Sequence, residues 1–264
     1  SIAFAESSLY SRRISLNNST SLSAIVCVAI FCGPSLGWAQ AVSEAERASE
    51  VSYRQIVLED GPVGYWHFDH TNAEHVDNDG AANAGSTNLQ GTVTGNFRFD
   101  VPGPQNAEFP LFSEDNVAAE ITGSGFIRVA DPGKDSLLDF DSGDSITLEA
   151  WVNPHATGGS GYAYLIGKGR TENAGFPADN QNYALRLALN GSSAGVTFLF
   201  RSAGTDGAWH RWTSEYVLPI DGGWHYVAVT YTFGRNDSVR GYIDGEAVSG
   251  QWDSLKIRLL AKAK

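Results

Sequence analysis

The sequence predicts an all-β fold, an antiparallel sandwich of two sheets led in by a short helix. Three observations predict it. Beyond residue 59 the apolar positions recur every second residue in short runs, whereas helical spacing is confined to the segment before it. Glycine punctuates those runs, and the dipeptides Asn190-Gly191 and Asp244-Gly245 stand where hairpins need positive φ. Hydrophobic residues make up 42% of 264, enough to fill the core of one large β domain without disulfide staples.

The first 41 residues stand apart. Arg12 and Arg13 precede the apolar run Leu22 to Leu36, and Ala39 and Ala41 frame a small-residue cleavage site, so residues 1–41 read as a secretory signal peptide cut after Ala41. The run is too short to span a bilayer as a stable helix, and no later segment is longer, so a soluble exported chain with no membrane span is expected: secreted, periplasmic or cell-surface. "SRRISL" (Ser11 to Leu16) partly resembles a twin-arginine signal, with Ser15 where that pattern has phenylalanine, which leaves the export route open. Both cysteines, Cys27 and Cys32, fall inside the signal, and Cys32 follows Phe31 where a lipoprotein signal needs a small residue. The mature domain is thus expected to lack a disulfide and a lipid anchor. Removing residues 1–41 takes away Glu6, Arg12 and Arg13 and moves the net charge from -12 to -13. Such acidity repels a phosphate backbone, so nucleic acid is excluded as a partner.

Residues 42–59, "VSEAERASEVSYRQIVLE", place Ala45, Ala48, Val51 and Ile56 near helical spacing without Gly or Pro and predict a short helical lead-in. Strands follow. In "DSITLEAWVNP" (Asp144 to Pro154), Ile146, Leu148, Ala150 and Val152 line one face, Thr147, Glu149, Trp151 and Asn153 the other, and Pro154 ends the strand. "NYALRLALNG" sets Tyr183, Leu185, Leu187 and Leu189 against Ala184, Arg186, Ala188 and Asn190, and its Asn190-Gly191 opens a hairpin into "GVTFLFRS". In "GWHYVAVTYTFG" (Gly223 to Gly234), Trp224, Tyr226, Ala228 and Thr230 share one face and His225, Val227, Val229 and Tyr231 the other. Both faces are mostly apolar, so this strand lies between two covering layers and His225 reads as packing, not as a base.

"SITLEAWVNP", "YLIGKG", "NYALRL", "GWHYVAVTYTFG" and "RGYIDGEAV", in that order, resemble the LamG-like jelly roll of the laminin-G and concanavalin A-like lectin/glucanase group found in exported bacterial proteins. "VLEDGPVGYWHFD" (Val57 to Asp69) resembles its first strand. The resemblance covers about Tyr53 to Asp253 and places the domain at residues 60–253. It implies a two-sheet jelly roll, one sheet curved, in a non-catalytic module that binds carbohydrate or protein, sometimes with calcium. It also implies a structural role for the pair Trp224 and His225. Such modules usually continue past Gly250 to Asp253 with further strands, the last returning beside the first. The tail at 254–264, "SLKIRLLAKAK", is instead basic and free of acids. It predicts a domain missing its last strands, with an unpaired edge near Val63 to Phe68, or alternatively a closing amphipathic helix.

Related glucanases use closely spaced carboxylates on one strand, and no E-x-D-x-E triplet occurs here; Glu149 stands alone. G-x-S-x-G occurs only as Gly33 to Gly37, inside the signal. No enzyme is therefore expected, with an endoglucanase-like hydrolase as the third reading. "HFDHTNAEHVDNDG" (His67 to Gly80) reads first as a solvated acidic loop, and offers Asp69, Asp77 and Asp79 as candidate calcium ligands, because a hard cation wants clustered oxygens on a bending loop. For a ligand, "FRSAGTDGAWHRWTSEY" interleaves Trp209 and Trp212 with His210 and Arg211, near Arg201, and the loop 168–182 adds Arg170, Asp179 and Asn180. Indoles stack on the C–H faces of sugars while Arg, His and Asn bond their hydroxyls, so a glycan or a glycosylated surface is the expected partner. Trp209 and Trp212 are three apart and face opposite ways on a regular strand, which puts one of them in the core. A structural module contacting an extracellular or envelope protein, without a glycan, is the alternative.

Overall fold

The computed structural model describes residues 22–23, 27–31, 52–68, 74–80, 89–131, 136–156, 160–169, 182–202, 209–220 and 223–253. In chain order the elements are β1 (Leu22–Ser23), β2 (Cys27–Phe31), α1 (Tyr53–Glu59), β3 (Gly64–Trp66), β4 (His75–Val76), β5 (Gly91–Pro102), β6 (Val117–Val129), β7 (Ser145–Val152) and β8 (His155–Ala156). Then follow β9 (Ser160–Lys168), β10 (Tyr183–Asn190), β11 (Ser193–Arg201), β12 (Trp209–Pro219), β13 (His225–Thr232), β14 (Arg240–Ile243), β15 (Glu246–Val248) and β16 (Gly250–Trp252). Two antiparallel sheets dominate, one in the order β16-β12-β11-β10-β9 and the other β15-β14-β13-β7-β2-β3. A three-stranded sheet, β4-β5-β6, and the short pair β1-β8 complete them.

The alternation read from the sequence decides what lies between the two large sheets. Ile146, Leu148 and Val227 from one sheet meet Leu185, Leu187 and Phe198 from the other in a single core. The opposite faces of β7 and β13 are also covered, as a strand apolar on both sides requires. There Trp151, Tyr226 and Ala228 pack with Tyr53 and Val57 of α1 and with Phe112. Helix α1 is placed by a capping box: Gln55 N donates to Ser52 Oγ at 3.3 Å and Ser52 N donates to Gln55 Oε1 at 2.7 Å. Tyr53 then stacks on Phe112 with centroids 4.5 Å apart. The helix predicted over 42–59 thus appears as Tyr53–Glu59; residues 42–51 and the tail 254–264 lie outside the described residues.

Both predicted hairpins form. Asp244 and Gly245 adopt φ of 51° and 85° between β14 and β15, and Gly191 adopts 62° between β10 and β11. Trp212 wedges between the sheets: a Cβ at Gly241 of β14 or Gly250 of β16 would run into its ring, so only glycine fits at either place.

In the full chain, one side of Gly64–Trp66, within the segment Val63 to Phe68 expected to form an open edge, is paired. Strand β2, from the apolar run read as a signal, lies antiparallel between β3 and β7, with Val28 opposite both Trp66 and Ala150. It pairs along one edge of each neighbour, and β3 stays the terminal strand of its sheet, with Trp66 bridged to Asn78 on the far side.

Candidate ligand-binding face

Strand β12 sorts the predicted ligand residues by parity. His210 and Trp212 turn into the core, buried at 5% and 2% exposure, while Trp209 and Arg211 turn outward. His210 stacks on Phe200 at 4.6 Å and hydrogen-bonds Ser202 Oγ at 2.6 Å through Nε2, so it is a packed residue beneath the surface. Arg201 pairs in register with Trp209 on the outer face, its Cζ 5.7 Å from the indole. Arg170, Asp179, Asn180 and Asp69 lie outside the described residues.

The register carries the outer face further across the sheet. Leu199 stands opposite Arg211 and Ala184, Thr197 opposite Thr213 and Arg186, and Arg186 opposite Tyr164. A bulge in the β9–β10 ladder between Leu185 and Arg186 resets this last pairing. Arg211 reaches both ways. Its Nε and Nη2 donate to Asp253 Oδ2 at 2.9 and 2.7 Å, and its Nη1 donates to the Tyr162 hydroxyl at 2.6 Å. The Asp253 hydrogen bond holds the Arg211 pKa above its ordinary value, against a smaller opposing effect of burial. Tyr162 in turn lies over Arg186, ring centroid 3.6 Å from Cζ, and Arg186 Nη1 donates to the Tyr164 hydroxyl at 3.0 Å. The result is a lattice of rings and guanidiniums on one sheet face.

Sequence reasoning missed Tyr162, Tyr164, Arg186, Thr197 and Asp253. One signal was available: an arginine in the otherwise apolar run "YALRLAL", on the face opposite Leu185 and Leu187. A buried strand does not carry a cation without a partner or a task.

The acidic loop is organised differently. Asp79 Oδ2 accepts from Arg54 Nη2 at 2.7 Å and contacts His67 Nε2, and Asp77 Oδ1 accepts from Gln90 Nε2 at 2.6 Å. A carboxylate already turned to a guanidinium and an imidazole does not fit calcium. No group of three His, Cys, Asp or Glu suited to a metal occurs among the described residues. Glu149 is buried at 5% exposure and accepts from Tyr226 Oη at 3.1 Å, on the face that α1 covers.

Two antiparallel sheets enclosing one core, with an aromatic and polar outer face, define a β-sandwich of the kind that binds carbohydrate or protein. Residues 122–257 match the laminin-G family model of the concanavalin A-like lectin/glucanases superfamily, and the chain belongs to this family. Its domains are generally non-catalytic and typically extracellular, although the superfamily also contains glycosidases. None of the curated proteins and none of the solved structures matches the chain. No described helix is long and apolar enough to cross a membrane.

Proposed function

We propose that the chain is an exported, non-catalytic module that recognises carbohydrate or a glycosylated surface through the outer face of the β9 to β12 sheet. The observation that carries this reading is the lattice itself. Tyr162 and Trp209 present rings to a face on which Arg201 and Arg211 supply donors, the combination that stacks on sugar C–H faces and bonds their hydroxyls. His210 and Trp212 act beneath that face by fixing the strand. Export rests on the basic and apolar pattern of residues 1–41 and on the family's setting.

A glycan array probed with the full chain, with and without a calcium chelator, tests the reading. Binding is expected, it survives the chelator, and Trp209→Ala or Tyr162→Ala weakens it by about 1–3 kcal/mol, as loss of an aromatic anchor does. A chain that binds no glycan returns the choice to the protein-interaction reading, which the exposed neighbours Tyr216 and Val217 favour.

A further inference from the structure

We propose that Arg186 and Thr197 form an anion-binding centre on this face, which takes the carboxylate of an acidic saccharide. The proposal rests on the carbohydrate reading above and narrows its ligand class. Arg186 is buried at 6% exposure, and its Nε has no hydrogen-bond partner. Thr197, its register partner on β11, is fully buried, and its Oγ1 has none either. What Arg186 does have is neutral: the Tyr164 hydroxyl and the Tyr162 ring. Among the described residues the only carboxylate hydrogen-bonded to Arg186 or Arg211 is Asp253, and both of its side-chain bonds go to Arg211. Burial lowers the Arg186 pKa, against the opposing effects of Tyr164 and Tyr162.

This centre therefore holds one uncompensated positive charge beside two idle polar atoms. A carboxylate supplies what is missing: one oxygen accepts from Arg186 Nε, the other from the Thr197 hydroxyl, in the planar geometry a guanidinium favours. A sugar hydroxyl brings no charge. An acidic side chain of a protein brings one, but the Tyr162 ring, 42% exposed, and Trp209 on the same face favour a flat saccharide that stacks. Tyr162, held at its hydroxyl by Arg211, is the exposed ring over Arg186, and a ligand that reaches the guanidinium displaces it.

The test is titration of the full chain with oligosaccharide pairs of equal linkage, neutral and C6-carboxylated: those of cellulose and C6-oxidised cellulose, and those of mannan and mannuronan. The acidic member of at least one pair is expected to bind about tenfold tighter, the worth of a charge-assisted hydrogen bond. Arg186→Gln is expected to cost the acidic member of the pair more affinity than the neutral one, so that the ratio between them falls to about one. Should Arg186→Gln fail to fold, Thr197→Val carries the test and is expected to cut the preference several-fold. Equal or tighter binding of the neutral members overturns the proposal and leaves the carbohydrate reading standing; no binding of any saccharide overturns both. A preference that survives Arg186→Gln and Thr197→Val places the charge elsewhere, and binding of polyglutamate alone makes the partner a protein. Either outcome overturns the assignment.

Discussion

His225 Nδ1 and Asp244 Oδ2 stand 2.8 Å apart and tie the start of β13 to the turn between β14 and β15. The turn is fastened twice more, since Tyr226 N donates to Asp244 Oδ1 at 2.9 Å and Asp244 N donates to the Tyr226 carbonyl at 2.8 Å. The histidine is a clamp on a tight turn. His225→Ala is expected to lower stability by about 1–3 kcal/mol, the cost of buried contacts and one hydrogen bond, with binding per folded molecule unchanged. Thermal melts beside a binding assay check this. An unchanged melting temperature with lost binding would reassign His225 to the ligand.

Trp212 gives the larger effect. It is enclosed between Gly241 and Gly250, so Trp212→Ala opens a cavity between the sheets and is expected to cost about 3–5 kcal/mol. Gly241→Ala is destabilising for the opposite reason, because the new methyl meets the ring. Denaturant unfolding of both variants measures it, and near-native stability of either would show that the wedge has room to move.

Alkaline pH provides a third test. Burial pushes the Tyr231 pKa up to about 12, and burial with Asp139 and Asp131 raises that of Tyr183 as well. The unfolded chain releases these protons near pH 10, at about the ordinary tyrosine value, so above it the folded state holds more protons than the unfolded one. Stability is full below about pH 10 and falls as the pH climbs through the folded-state values. Tyr231→Phe should flatten its share of that decline. Melting temperatures across the alkaline range decide it, and a decline of equal slope in the variant would exclude Tyr231 as its source.

Processing can be followed by mass and by amide exchange. If the leader is cut after Ala41, the exported form lacks Cys27–Phe31, and the backbones of Gly64–Trp66 and of Leu148 to Trp151 lose their shared neighbour. Those amides are expected to exchange slowly in the full chain and faster in a chain starting at Val42. An exported mass that still includes Arg12 sinks the cleavage claim, and equal protection in both forms means that another segment fills the gap.

Local pattern carried much of the fold. The two faces of β7 and β13 follow their side-chain parity residue by residue, and Asp244-Gly245 announces its own turn because so few residues accept two successive positive φ values. What parity could not tell was which parity faces out. Trp209 and Trp212 were separable from each other, but only the neighbouring strands show that Trp212 meets Gly241 and Gly250. Arg186 comes to Tyr162, Tyr164 and Thr197 through pairing between strands distant in sequence and through a bulge, neither of which leaves a local trace. Strand β2 was hidden differently: an apolar stretch suited to an export signal suits a strand inside a sheet equally well, and composition does not choose between them.

The place of β2 also sets up a race in time. Its neighbour β7 is synthesised long after it, so the ribosome releases those five residues well before the groove that receives them exists. All-β chains whose partners lie far apart along the sequence close slowly, and during that delay the segment remains open to other binders. Five residues cannot occupy a sheet and a translocation channel at once. If the run acts as the proposed export leader, whichever captures it first determines whether the chain folds where it was made or leaves, and the late arrival of β7 gives export the head start.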